Sequence, residues 1–297
     1  MAMAIAKAKE TGASIVLASD PDADRVGLVV RDKKGEYQLV NGNQINMILD
    51  YYIISQNEAK GLMKGNEYVV KTIVTTESIK RIADHHNVRC FDCFTGFKWI
   101  ANVMRDEEET GRYLGGGEES YGFLPETFVR DKDSISTNSL MAECAAWAEE
   151  QGMNLYELLI DIYAKYGFSR ERGVSVVRPG KSGAEEIVAM MKEFRENPPK
   201  TLAGSPVTCI KDYSDLSCKD LKGNIVTKMD FPTTSNVLQF FTENGDKVSI
   251  RPSGTEPKIK FYVEVREDMK NKAEYEECVS AAETHIDRVL RDLKAID

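Results

Sequence analysis

The stretch EYVVKTIVTTESIKRIADHHNVRCFDCFTGFKWIANVM, Glu67–Met104, decides the fold. Its first ten residues are rich in β-branched side chains and read as a strand. ESIKRIADHH then repeats apolar positions at helical spacing. VRCFDCF is a second strand, and TGFKWIANVM opens a second helix. Strand–helix units in succession belong to sheets whose strands run mostly parallel. In such sheets the functional loops leave the carboxyl ends of the strands.

Upstream, GASIVLAS and RVGLVV read as strands on either side of an acidic loop, and NQINMILDYYIIS as a helix. Downstream, RYLGG is a short strand, GEESYG a loop, and SLMAECAAWAEE and LYELLIDIYAKY are helices. The pattern changes after Tyr166. RERGVSVVRPG reads as a strand, and GAEEIVAMMKEFREN as a helix stopped by Pro198 and Pro199. NVLQFFT, KVSIRPS and KIKFYVEV follow as strands, with a closing helix from Asn271 to Lys294. The expected fold class is α/β: a mixed, mostly parallel α/β sheet domain, then a separate α+β carboxyl-terminal domain. The boundary is expected between Tyr166 and Glu171.

A chain of 297 residues is long enough for two or more domains. Its 42% hydrophobic and 29% charged residues are ordinary for a globular protein. No apolar run approaches the roughly 20 residues of a membrane span, so no membrane partner is expected. The net charge of −9 argues against nucleic-acid binding. The opening MAMAIAKAKETG lacks a secretory apolar segment and reads as a short amphipathic helix beginning mid-domain. Six cysteines are scattered along the chain: Cys90, Cys93, Cys144, Cys209, Cys218 and Cys278. Without a secretion signal they point to a reduced, cytoplasmic protein. RCFDCF has zinc-like spacing but no second pair, and it sits in a strand.

Four short segments carry chemistry. In ASDPDADRVG, Asp20, Asp22 and Asp24 alternate, so their side chains can point into one concavity. Three like charges at the end of a buried strand call for relief. The expected relief is a hard divalent cation such as Mg²⁺. An EF-hand would need Gly at its sixth position and Glu at its twelfth, where this chain has Arg25 and Arg31. A phosphatase with an Asp nucleophile would usually place Thr or Val where Asp24 stands. Arg25, directly after the acids, suits a phosphate through its planar fork. GGGEESYGF offers glycines for close ligand approach, then Glu118, Glu119 and Ser120 for sugar hydroxyls. RPSGTEPKIKFY gathers Arg251, Ser253, Gly254, Thr255 and Lys258 at a strand-ending turn, an anion nest without the Walker pattern. TGFK places Lys98 one step into a helix, where it could move protons or lie solvated.

Together ASDPDADRVG, TGFK, GGEESYG and RPSGTEPK resemble, in order and spacing, the α-D-phosphohexomutase superfamily, which includes the phosphoglucomutases and phosphomannomutases. The resemblance implies a four-domain enzyme with a central cleft. It implies residues 1–33 as a remnant of domain 2 with the metal loop, 34–168 as domain 3 and 169–297 as domain 4. It assigns Asp20, Asp22 and Asp24 to Mg²⁺, and Arg25 to the transferring phosphoryl group. Lys98 matches a lysine proposed as acid/base. Glu118 and Ser120 would grip sugar hydroxyls, and Arg251, Ser253, Gly254, Thr255 and Lys258 the distal phosphate. GEESYG is closer to the glucose-type loop than to the GEMSGH form. The implied reaction interconverts glucose 1-phosphate and glucose 6-phosphate through a phosphoserine and glucose 1,6-bisphosphate. Phosphomannomutase or phosphopentomutase activity and a stand-alone sugar-phosphate or metal-binding module remain alternatives. No segment matches the family's TASHNP-like phosphoserine loop. The chain is therefore expected to be the carboxyl-terminal part of a mutase, lacking the amino-terminal domains and inactive alone.

Overall fold

The computed structural model describes residues 1–254 and 256–296. Thr255 of the anion nest lies outside the described residues. The chain divides into two compact units, Met1–Tyr166 and Gly167–Asp297.

The first unit opens with α1 (Ala2–Thr11), ended by Gly12 at φ 75°, where a side chain would be strained. β1 (Ile15–Ser19), β2 (Val26–Arg31) and β3 (Tyr37–Val40) form an antiparallel sheet in that order. Register from Ile15 opposite Val30 to Ser19 opposite Val26 leaves the acidic segment as the hairpin connection. α2 (Gly42–Ala59) starts with a capping box: Asn41 accepts from Gln44 N, and the Gln44 side chain accepts from Asn41 N. Then come β4 (Glu67–Thr72), α3 (Ser78–His85), β5 (Arg89–Cys93), α4 (Phe97–Asp106), β6 (Arg112–Glu118) and β7 (Gly122–Leu124). α5 (Ser134–Glu150) and α6 (Leu155–Tyr166) close the unit.

The second sheet runs β5-β4-β6-β7. Its first two pairings are parallel and the last antiparallel, which is the mixed, mostly parallel arrangement the sequence implies. β4 is buried along its whole length, as a central strand covered on both faces must be. Phe97, Ile100 and Met104 of α4 pack on Tyr68 and Val70 of this sheet.

One sequence reading is corrected here. Gly115, Gly116 and Gly117 of GGGEESYGF are buried inside β6 and do not form an open ligand turn. Asn46 and Asp50, one turn apart on α2, lie over Gly117 and Gly115, two residues apart on one strand face. A Cβ at Gly115 would stand 2.8 Å from Asp50 Oδ1, and one at Gly117 would strike Asn46 Oδ1. The glycines make room for a helix.

The second unit contains β8 (Phe168–Val177), α7 (Gly180–Glu196), β9 (Thr201–Leu202), β10 (Ser205–Asp212), β11 (Ser217–Lys219) and β12 (Ile225–Lys228). β13 (Leu238–Thr242), β14 (Lys247–Pro252), β15 (Lys258–Glu267) and α8 (Tyr275–Asp292) complete it. The sheet is antiparallel, in the order β12-β11-β10-β13-β14-β15-β8, with β9 beside β10. The separate α+β domain expected after Tyr166 is this one. Alternation along β15 puts Ile259, Phe261 and Val263 on its buried face.

Candidate functional site

The acidic loop is built by its own backbone. Asp20 Oδ1 accepts from Asp24 N and Arg25 N, both at 3.1 Å. Burial opposes ionisation of Asp20, but these two N–H groups outweigh it and hold the carboxyl below its ordinary range. Ala23 sits at φ 56°, which lets the chain reverse within the loop. Asp22 is exposed to solvent. Asp24 meets Lys132 Nζ at 2.9 Å and, more loosely, Arg25 Nε at 3.7 Å. Backbone amides on Asp20 and a lysine on Asp24 thus offset part of the repulsion between the three acids.

Lys132 is a residue the sequence reading missed. Its stem crosses Gly122, its ammonium lies 5.7 Å from the Phe97 ring centre, and only 16% of its side chain is exposed. Desolvation weakens its charge, yet Asp24 and Asp131 together outweigh that and raise its pKa. Around it, Ser134 N donates to Ala23 O at 3.0 Å and Ser134 Oγ to Ser19 Oγ at 2.8 Å. Asn138 Nδ2 reaches the same Ser19 hydroxyl at 3.1 Å. The start of α5 therefore splints the acidic loop. The available signal was Asp133, an N-cap residue ahead of a helical run, with a lysine just before it.

The Glu118 turn converges on the same place. Glu118 is buried, and its Oε1 accepts from Gly96 N at 2.7 Å. Gly96 stands at φ 111° at the head of α4, so the bond ties the β6–β7 turn to the Lys98 segment. Asn46 Nδ2 holds Glu118 O at 2.8 Å. Tyr121 O accepts from Val26 N at 3.1 Å, joining the turn to the exit of the acidic loop. Ser120 is half-buried between these anchors. Glu119 turns inward to Thr72 and Thr75, and burial pushes its carboxyl up. Lys98 is exposed, with Nζ 5.2 Å from the Trp99 ring centre. A cavity of about 510 Å³ opens beside Ser19, Asp20, Arg25 and Tyr121.

A bound metal was tested against this geometry. The donors are hard carboxylates, and Asp24 Oδ1 is buried with no hydrogen-bond partner among the described residues. Among the described residues, no three carboxylate, imidazole or thiol groups are gathered closely enough to hold a metal ion as they stand. The donor chemistry fits Mg²⁺, with Lys132 now on Asp24.

In the second unit, Arg251 lies on β14 opposite Lys260 of β15. Ser253 N donates to Lys258 O at 2.8 Å and closes the turn. Arg251, Ser253 and Lys258 are half-buried and Gly254 is exposed. Lys258 Nζ is paired with Glu256, and the hydrogen bond and charge of Lys258 lower the Glu256 pKa.

Comparison with known proteins decides what these loops belong to. Residues 41–166 match the family profile for phosphoglucomutase/phosphomannomutase alpha/beta/alpha domain III. Residues 211–281 match the profile of the C-terminal domain of the same family. The chain belongs to the α-D-phosphohexomutase superfamily. It is 34% identical over 266 residues to a phosphoglucomutase of Staphylococcus haemolyticus, covering 90% of this chain and 47% of the relative. With a phosphoglucomutase of Staphylococcus epidermidis it shares 38% over 251 residues, covering 84% and 45%. The chain thus spans about half the length of these relatives. Among solved structures, the exocytosis-sensitive phosphoprotein parafusin (phosphoglucomutase) of Paramecium matches at TM-score 0.64 and 17% identity. That match covers 95% of this chain and 45% of the other. A phosphoglucomutase/phosphomannomutase family protein of Burkholderia thailandensis matches at TM-score 0.59 and 18% identity, covering 98% and 49%. Both likenesses concern the phosphohexomutase fold alone.

Proposed function

We propose that this chain forms the sugar-gripping and distal-phosphate part of a cytoplasmic phosphoglucomutase-type enzyme. That enzyme interconverts glucose 1-phosphate and glucose 6-phosphate through a phosphoserine and glucose 1,6-bisphosphate. One observation carries the reading: in a single unit, the acidic loop, the Glu118 turn and the Lys98 segment are bonded together through Tyr121–Val26 and Glu118–Gly96. Residues for phosphoryl transfer and for sugar hydroxyls thereby share one place. The phosphoglucomutase relatives support glucose over other sugars.

Phosphoryl transfer is mostly positioning and charge stabilisation. Arg25 is placed to steady the transferring group. Glu118 and Ser120 orient sugar hydroxyls, with Glu118 fixed by Gly96 N so that one carboxylate oxygen is committed to geometry. Lys98, exposed at the start of α4, is available to carry a proton. Asp20, Asp22 and Asp24 would hold Mg²⁺, which when bound supplies Lewis-acid stabilisation of a phosphoryl oxygen. Arg251, Ser253, Gly254, Thr255 and Lys258 would take the phosphate that is not reacting. Residues 1–33 are the tail of the family's second domain, 34–168 the third and 169–297 the fourth.

No residue of this sequence supplies the phosphoserine loop. The chain alone should therefore bind glucose 1,6-bisphosphate but convert no glucose 1-phosphate. Calorimetric binding and a coupled glucose 6-phosphate assay check this. Adding the amino-terminal half of the Staphylococcus haemolyticus relative should restore turnover, and E118A should weaken bisphosphate binding about tenfold or more. Turnover by the unsupplemented chain would refute the missing-serine argument. Failure to bind the bisphosphate would refute the mutase reading.

A further inference from the structure

Cys209 and Cys218 lie on neighbouring antiparallel strands of the second unit, β10 and β11, away from the anion nest in sequence. Cys218 stands directly opposite Lys211, and Cys209 is two residues from Lys211 on the same strand face. Their sulfurs are 2.8 Å apart, although both cysteines are free thiols. That separation is inside the usual contact of two sulfur atoms, so the two thiols face each other directly. Cys209 is half-buried and reachable from solvent, whereas Cys218 is buried. The pair belongs to no step of the mutase reading.

The other cysteines show no such arrangement. Cys90 and Cys93 share one strand three residues apart, so their side chains leave opposite faces of β5. Cys144 is buried on α5 and Cys278 on α8.

We propose that Cys209 and Cys218 are a modification site, a cross-strand thiol pair that closes to an intramolecular disulfide with a low-molecular-weight disulfide as oxidant. The Cys209 thiolate attacks one sulfur of the small disulfide and releases one small thiol. The Cys218 thiolate then attacks the Cys209 sulfur of the mixed disulfide and releases the second. Two protein thiols lose two protons and two electrons, and one small disulfide becomes two small thiols. The product staples the β10–β11 hairpin across a turn in which Leu216 already stands at φ 56°.

The kinetics follow from the surroundings. Burial, then the Cys218 hydrogen bond, push the Cys209 thiol up to about 12, while the Lys211 charge pulls the other way. At neutral pH little thiolate is present. Closure is therefore slow, and it speeds up about tenfold per pH unit between about pH 7 and 9. The site would register sustained oxidation and ignore brief pulses.

The test uses the folded 297-residue chain and oxidised glutathione as the probe. After incubation, exchange is quenched with acid, the chain is unfolded in denaturant so that buried cysteines react, free thiols are alkylated, and the protein is weighed intact and peptide-mapped without reduction. The expected product has lost two hydrogens, links the Cys209 and Cys218 peptides, and keeps four of the six cysteines alkylatable. Dithiothreitol restores all six. C218S should instead retain one glutathione on Cys209, because the resolving thiol is gone. Three results would overturn the proposal: a stable glutathione adduct on the wild-type chain, a link through any other cysteine, or six free thiols after overnight exposure at about pH 9. The wild-type measurement decides the matter even if the serine variant folds poorly.

Discussion

At the scale of single residues, Asp50 is the least expected group. It is fully buried on α2, and among the described residues neither carboxylate oxygen has a hydrogen-bond partner. Burial pushes its carboxyl well above the ordinary range. The folded chain keeps the Asp50 proton at a pH where the unfolded chain has released it. Stability from this group is therefore intact below about pH 3.9 and is lost as pH rises toward the folded value. Asp50→Asn keeps the shape and removes the titration. The variant should gain about 1 kcal/mol or more at neutral pH, since one pKa unit is worth about 1.4 kcal/mol. Urea denaturation at several pH values checks this: the gain should shrink toward about pH 4. A variant no more stable than wild type at neutral pH would mean that the buried carboxyl is solvated. The sequence displayed Asp50 within NQINMILDYYIIS, but helical periodicity does not disclose that α2 is buried nearly all round.

At the scale of elements, β6 shows why a glycine run can mislead. GGG before acids has the composition of a ligand loop. Strand alternation gives it another purpose, admitting Asn46 and Asp50 of α2. Asn46 Nδ2 bridges Gly42 O at 2.7 Å and Glu118 O at 2.8 Å, so helix, strand and the β6–β7 turn share one side chain. Gly117→Ala drives a methyl group into Asn46 Oδ1. It should cost about 1–3 kcal/mol by overpacking and weaken bisphosphate binding by moving Glu118. Gly173→Ala on β8, where a Cβ meets nothing within 4 Å, is the control and should stay within about 0.5 kcal/mol. Denaturant midpoints of the two variants compare them directly. Equal midpoints would remove the packing explanation. β4 was legible because its β-branched run ends at a clear turn. β9, β11 and β12 were not: β9 has two residues and β11 three, and β12 is exposed throughout, so no alternation develops in them.

At the scale of the whole chain, the four loops and the change of pattern near Tyr166 could be read from local composition. The Lys132–Asp24 pair could not, because its partners are 108 residues apart and only the packing of α5 onto the β1–β2 hairpin joins them. The same holds for His285 of α8, which meets Asp246 at 3.3 Å and Glu267 at 3.0 Å. The Asp246 hydrogen bond raises the His285 pKa, burial opposes it, and the Asp246 and Glu267 charges add to the rise. This stabilisation is complete below about pH 6.5 and is lost as pH rises through the higher folded value. Asp246 is lowered, burial opposing while His285 and the Arg266 N–H prevail, so its share is lost toward acid. Each unit has its own core and is expected to melt as its own cooperative block. Calorimetry should then show two transitions. His285→Gln should lower and flatten the pH dependence of one, Asp50→Asn should raise the other, and the double variant should do both additively. A single transition moved by both substitutions would show that the chain unfolds as one block, and the pH dependence of each unit would then have no separate meaning.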